Sequence, residues 1–333
     1  MSTNRNRDMR LRTGDWVEVK SPREIWETLD SDGTLNGLPF MPEMLAYCGR
    51  RAKVARRAEK TCIEFPGGSY RFQEFRGNDV VLLDGLRCSG ENHDGCQRAC
   101  VMFWKEDWLR EANPDEPGNS ADSHDDTVIA SRLKTVAADG RYFCQSTQLI
   151  QATQPMPRTR IVAKCVADVR SGSRGLFEMA WIIVTALWGK LMYRLPRRTL
   201  AGNLKRTPVG DLNLQPGEWV EIKSAPEIAQ TLDDRGRNRG LICDFGMCDL
   251  GGRPYRVRNR LDRMISESTG AMRRVESTVI LEDLHCLCPR VLGGCPRQDF
   301  MYWREVWLKR AGASTTPVGA MAEEGCQVNG PAR

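Results

Sequence analysis

Histidine is scarce in this chain, three residues in 333, which leaves acid–base chemistry near neutral pH to carboxylates and thiols. The sequence holds no His-Glu-x-x-His array, no Gly-x-x-x-x-Gly-Lys-Ser/Thr loop, no Gly-x-Gly-x-x-Gly fingerprint and no Gly-x-Ser-x-Gly elbow. Those absences remove zincin, P-loop, dinucleotide-binding and nucleophile-elbow hydrolase readings. Long apolar runs are lacking too. Met179 to Trp188 is apolar apart from Thr185, far short of the roughly 20 residues that cross a bilayer. No apolar stretch follows the polar start MSTNRNRDMR, so the expectation is a cytoplasmic protein whose thiols stay reduced.

Against these absences stand thirteen cysteines. In a reducing compartment metal ligation is their usual explanation, with inert burial the alternative for any that stand alone. The rest of the composition, 41% apolar and 28% charged, suits a globular protein, and the length allows about two domains.

The chain contains one unit twice. GDWVEVKS at 14–21 returns as GEWVEIKS at 217–224, an offset of 203, and FWKEDWLR from Phe103 returns as YWREVWLKR from Tyr302, an offset of 199. Two collinear modules follow, at 13–112 and 207–311. Around them are expected a disordered N-terminus (1–12), a disordered acidic linker (113–138), a connector with an apolar helix (139–206) and a disordered tail (312–333). Each module opens on an alternating strand, and Ser21 with Glu24, like Ser224 with Glu227, spells a capping box for a short helix. RAKVARR and DVVLLDGL, matched by PYRVRNR and STVILEDL, read as later strands. The fold class expected is mainly β with short helices, as tandem small, strongly bent barrels joined by a helical linker.

The Gly-Asp-x-Val-x-Val opening strand, the long first loop and the Gly-Arg-x-x-x-Val second strand resemble SH3-like barrels of the KOW and nitrile hydratase β-subunit kind. Over nearly the full chain, the order GDWVEVKS, LPFMPEMLAYCGRR, KTC, GLRC, FWKEDWL, RYFCQ, GEWVEIKS, CPR and YWREVWL resembles an uncharacterised family of bacterial two-repeat proteins. That resemblance implies company with glycosyltransferase or other biosynthetic genes and supplies no activity to carry over.

Cys62, Cys88, Cys96 and Cys100 fall in one module, and Gly90 and Gly95 give the last segment the freedom to fold around an ion. Four thiolates make a tetrahedral shell, so a zinc site is expected, with an iron–sulfur cluster as the alternative that spacing does not separate. His93 stands in the same loop and is a substitute ligand for Cys62 or Cys100. In the second copy Cys286 and Cys295 match Cys88 and Cys96, while Ile265 and Asp299 replace Cys62 and Cys100. There Cys286, Cys288 and Cys295 could form a second site completed by His285 or Cys144, or that copy could have lost its metal.

Trp16/Trp219, Trp104/Trp303 and Trp108/Trp307 recur at matched places. They read as core, or as an aromatic groove rimmed by Arg50, Lys53, Arg253 and Arg256. Basic strands run from Arg50 to Lys60 and from Arg253 to Arg263, yet the net charge is only +6. That makes a nucleic-acid binder the weaker reading. Asp30 and Asp32 lack the glycine and glutamate spacing of a calcium loop.

A binding or scaffold role in a bacterial polysaccharide or secondary-metabolite pathway is therefore expected, with a protein partner or an anionic small molecule as ligand. The competing readings are a metalloenzyme with an iron–sulfur cluster or open zinc, and a KOW-like nucleic-acid binder. The missing catalytic arrays tilt the balance away from an enzyme. Residues 175–198, where Trp181, Trp188 and Tyr193 precede Arg194, Arg197 and Arg198, form either a buried helix or a peripheral contact with the inner membrane.

Overall fold

A computed structural model describes residues 11–65, 69–113, 123–192, 200–243, 247, 250–286 and 296–312. It is mainly β and divides into two compact units: Met1–Pro196 with Arg263–Arg274 and His285–Phe300, and Arg197–Asp262 with Val275–Leu284 and Met301–Arg333.

In unit one, β1 (Trp16–Val19) is followed by α1 (Pro22–Trp26), β2 (Thr34–Leu35), β3 (Leu38–Pro39) and α2 (Pro42–Leu45). Next come β4 (Arg51–Arg57), β5 (Thr61–Phe65), β6 (Ser69–Phe75), β7 (Val80–Arg87), β8 (Val101–Lys105) and β9 (Leu109–Glu111). The main sheet is a curled half-barrel in the order β8-β7-β4-β1-β9. Val17 and Val19 of β1 point into the core. Glu18, which strand alternation would turn outward, is buried beneath Arg51 and Arg110, at 3.5 and 3.7 Å. α1 starts as its sequence specifies: Glu24 N–H donates to Ser21 Oγ at 3.4 Å, and Ser21 N–H donates to Glu24 Oε2 at 3.0 Å.

The chain then forms α3 (Ser123–Arg132), α4 (Gln145–Ala152), β10 (Thr153–Pro155), α5 (Ile161–Arg170) and α6 (Leu176–Met192). β10 joins the second sheet, β10-β6-β5. The expected disordered stretch 113–138 is thus corrected over its second half. Ile129 and Leu133, four residues apart, reach the core, and Lys134 pairs with Asp32. That apolar spacing is hidden behind the acidic residues before it.

Unit two repeats the plan with β11 (Trp219–Ile222), α7 (Ala225–Ala229), β12 (Arg237–Asn238), β13 (Leu241–Ile242) and β14 (Pro254–Arg260). After β15 (Arg263–Ile265) and β16 (Met272–Arg274), which belong to unit one, it resumes with β17 (Thr278–His285), β18 (Phe300–Arg304) and β19 (Leu308–Arg310). Its sheet order, β18-β17-β14-β11-β19, equals that of unit one. The correspondence is detailed: the bulge at Val54/Arg56 returns at Val257/Asn259. The left-handed residues Asn36, Asn78 and Ala99 return as Arg239, Ser277 and Gln298. Trp108 donates to Thr28 at 3.1 Å, as Trp307 does to Thr231 at 3.0 Å.

Candidate metal centre

The loop from β7 to β8 is pinned at its mouth, where Cys88 N–H donates to the Cys100 carbonyl at 2.9 Å and Arg87 Nη1 to the Ala99 carbonyl at 2.8 Å. Inside it, His93 and Gly95 N–H both donate to the Gly90 carbonyl at 3.0 Å. Gly90 has φ +73° and a Cβ there would lie 2.0 Å from the Cys96 carbonyl oxygen, so only glycine closes this turn. Ala99 is left-handed with φ +50°, a strained setting for a residue with a Cβ, and it lies between Arg98 and Cys100.

This loop, the start of α4 and β15 enclose a cavity of about 40 Å³. It is lined by Cys88, Cys96, Cys100 and Cys144 together with His93, Arg98, Arg297 and Asp299. Of the four cysteines expected to converge, Cys88, Cys96 and Cys100 line this cavity, and the fourth cysteine on its lining is Cys144. No three His, Cys, Asp or Glu side chains among the described residues stand in metal-holding geometry. Burial, with Glu43 nearby, drives the Cys88 thiol far above its ordinary range. Burial likewise pushes Cys100 up to about 12, against the pull of Arg98, and raises Cys144. At neutral pH these are thiols rather than nucleophilic thiolates unless a cation joins them.

Cys62 is not on that wall. It lies on β5, and its carbonyl accepts from Arg297 Nη1 at 2.9 Å. A reciprocal bond runs from Arg98 Nη1 to the Ile265 carbonyl at 3.2 Å. Arg98 and Arg297 are repeat equivalents, as are Cys62 and Ile265, so each copy's arginine reaches the hairpin of the other copy within unit one. Glu267 holds the centre, 2.7 Å from Arg297 and 3.7 Å from Arg98. Burial opposes ionisation of Glu267, but Arg297 and then Arg98 keep its carboxyl below the ordinary value. Asp299 pairs with Arg297 at 3.0 Å. The sequence pass missed this network, although the matched arginines and Glu64/Glu267 were there as its signal.

His93 lines the same cavity, but both of its ring nitrogens are engaged within the protein. Its Nδ1 lies 2.6 Å from Glu43 Oε1 and its Nε2 3.0 Å from the Phe143 carbonyl. A carboxylate and a carbonyl both accept, an arrangement that favours the ring carrying a proton on each nitrogen. Burial by itself would lower its pKa, but the Glu43 contact and the Phe143 carbonyl raise it above the ordinary histidine value.

In the second copy Cys286 N–H donates to the Asp299 carbonyl at 2.7 Å, the counterpart of the Cys88–Cys100 bond, and the Cys286 side chain is exposed. Cys288 and Cys295 lie outside the described residues. Trp104, Trp108, Trp303 and Trp307 have no exposed surface, so the core reading holds for them and no groove is lined by them. The half-buried Trp16 and Trp219 remain near the surface. Trp16 faces Lys53 across the β1–β4 ladder, with the ammonium 5.2 Å from the ring, and Trp219 pairs with Arg256 in the same register. Arg50 stacks over Tyr47 at 5.7 Å and Arg253 over Tyr255 at 4.9 Å. Compared with known proteins, the chain matches no family model, no curated protein and no solved structure.

Proposed function

We propose that the chain is a binding or scaffold protein of two SH3-like modules, stapled in its first unit by a metal held at Cys88, Cys96, Cys100 and Cys144. The observation that supports this reading is that four cysteines line one small cavity. A divalent cation bound there would lower thiol pKa values by its own charge, opposing the effect of burial. Four thiolates close a zinc shell and leave no position for a substrate, so the metal stabilises the loop instead of reacting. The surface pairs Trp16/Lys53 and Trp219/Arg256 then offer the same aromatic and cationic face twice. That face suits a protein partner or an anionic small molecule of a bacterial biosynthetic pathway. Nucleic acid is the weaker ligand, because Arg51, Arg57 and Lys60 of the basic run are already paired with Glu18, Glu59 and Asp168.

Elemental analysis of protein purified without added metal tests the reading. A colourless preparation with about one zinc per chain, lost in Cys100→Ser, is expected. A brown preparation containing iron and sulfide would transfer the same sulfurs to the iron–sulfur metalloenzyme reading. Metal-free protein whose melting is indifferent to added zinc and to chelator contradicts both. Strong, salt-sensitive retention on heparin would instead favour the nucleic-acid reading.

A further inference from the structure

Among the described residues, twelve large apolar side chains are exposed, and seven of them lie on α5 and α6: Val162, Val166, Leu176, Phe177, Trp181, Ile183 and Val184. Scattered single exposures are ordinary, but a cluster on adjoining helices marks an interaction surface. On α6 the exposure follows helical spacing. Phe177, Trp181 and Val184 share a face and are 93%, 69% and 56% exposed, whereas Met179 is buried and Ile182 half-buried on the other side. The helix is thus seated by one face and offers an aromatic, aliphatic face to its surroundings.

Charge identifies what that face meets. Residues 158–198 contain nine Lys or Arg and two Asp or Glu, seven net positive charges, while the whole chain carries +6. The remaining sequence is therefore close to neutral, although within this stretch Arg160, Lys164 and Arg174 pair with Glu74, Glu59 and Glu178. Arg170 ends α5 with its side chain exposed, and Arg12 is exposed next to Thr13, whose N–H donates to the Ser171 carbonyl at 2.9 Å. Apolar and aromatic side chains flanked by cations fit a surface of anionic headgroups over acyl chains. Two copies meeting through this face would bring like charges together. A helix of 17 residues is about 25 Å long, less than the hydrocarbon thickness, and no described helix is long and apolar enough to cross a membrane.

We infer that α5 and α6 form an interfacial anchor that lays Leu176, Phe177, Trp181 and Val184 into the surface of an anionic phospholipid bilayer. The anchor does not depend on the thiol site, so the two proposals fail separately. The test is sedimentation of the full chain with vesicles of phosphatidylcholine alone or with about a quarter phosphatidylglycerol. Binding at least roughly tenfold tighter to the anionic vesicles, weakened by salt, is expected. Phe177→Asp with Trp181→Asp removes it while the far-ultraviolet spectrum stays unchanged. If that variant misfolds, Trp181→Phe serves instead: it keeps sedimentation, but quenching of tryptophan emission by brominated acyl chains falls. Equal binding to both vesicle types, no binding, or quenching unchanged in Trp181→Phe overturns the inference. So does a concentration-dependent dimer that the double variant dissolves, because a second copy would then cover the face.

Discussion

The imidazolium of His93 is held by a carboxylate and a carbonyl in a site with almost no exposed surface. Replacing it by glutamine breaks this buried pair, which costs about 3 kcal/mol at neutral pH in urea unfolding. Because the folded pKa of His93 is raised, the pair's contribution is fully present below the unfolded value of 6.5 and fades as pH rises through the folded value. The gap between wild type and His93→Gln should therefore narrow as pH rises above 6.5 and through the folded value; a gap that widens contradicts the assignment. A second prediction concerns Trp108 and Trp307, both fully buried and each bonded to a threonine hydroxyl. Trp108→Ala or Trp307→Ala should cost about 3–5 kcal/mol in the same assay. Loss of ligand binding without loss of stability would return them to a groove. These residues show how legibility varies at this scale. The paired tryptophans are obvious in the sequence and still leave core and groove open, since helical or strand spacing marks a shared face without saying what covers it. His93 looks like a ligand in a cysteine-rich loop, and only its contacts with Glu43 and Phe143, each 50 residues away, show otherwise.

Among the elements, α1 and α7 were the most legible, because a capping box needs only four consecutive residues and both form at the places their Ser and Glu specify. Ser21→Ala should lower stability by about 1 kcal/mol. The Ser21 hydroxyl, and secondarily its backbone N–H, hold the Glu24 carboxyl below the ordinary 4.5 despite some burial. That contribution is present above pH 4.5 and lost as pH falls through the folded value, so wild type and Ser21→Ala should converge in acid. Thermal melting across that range checks the sign. The strands β1, β4 and β7, with their copies β11, β14 and β17, were equally readable from alternation and from the duplicated segments, whereas β5, β6 and β10 of the second sheet were not. What alternation cannot give is the destination of β15 and β16, a hairpin of the second repeat that belongs to unit one. Pairing within a hairpin is local, but the surface it packs on is set by distant groups: here Arg98 and Arg297, which meet Glu267 of the hairpin's own turn.

At the scale of the whole molecule, duplication places equivalent arginines and equivalent hairpin residues opposite one another, and the exchange sorts the cysteines differently from their order in the sequence. Arg297→Met would leave Glu267 and Asp299 without their 2.7 and 3.0 Å partner. A loss of about 3–5 kcal/mol is predicted, with increased proteolysis near β15 and β16. The same exchange takes Cys62 to the Arg297 side while Cys144 enters the wall with Cys88, Cys96 and Cys100. Spacing along the chain favoured Cys62 because it lies in the same module; Cys144, beyond a linker, was read only as a ligand completing the second copy's site. The most direct measurement is the metal content of Cys144→Ser beside that of Cys62→Ser, each purified as the full chain. The account predicts that Cys144→Ser loses the bound metal and Cys62→Ser keeps it. Metal retained by Cys144→Ser and lost by Cys62→Ser, or absent from wild type as well, would contradict it.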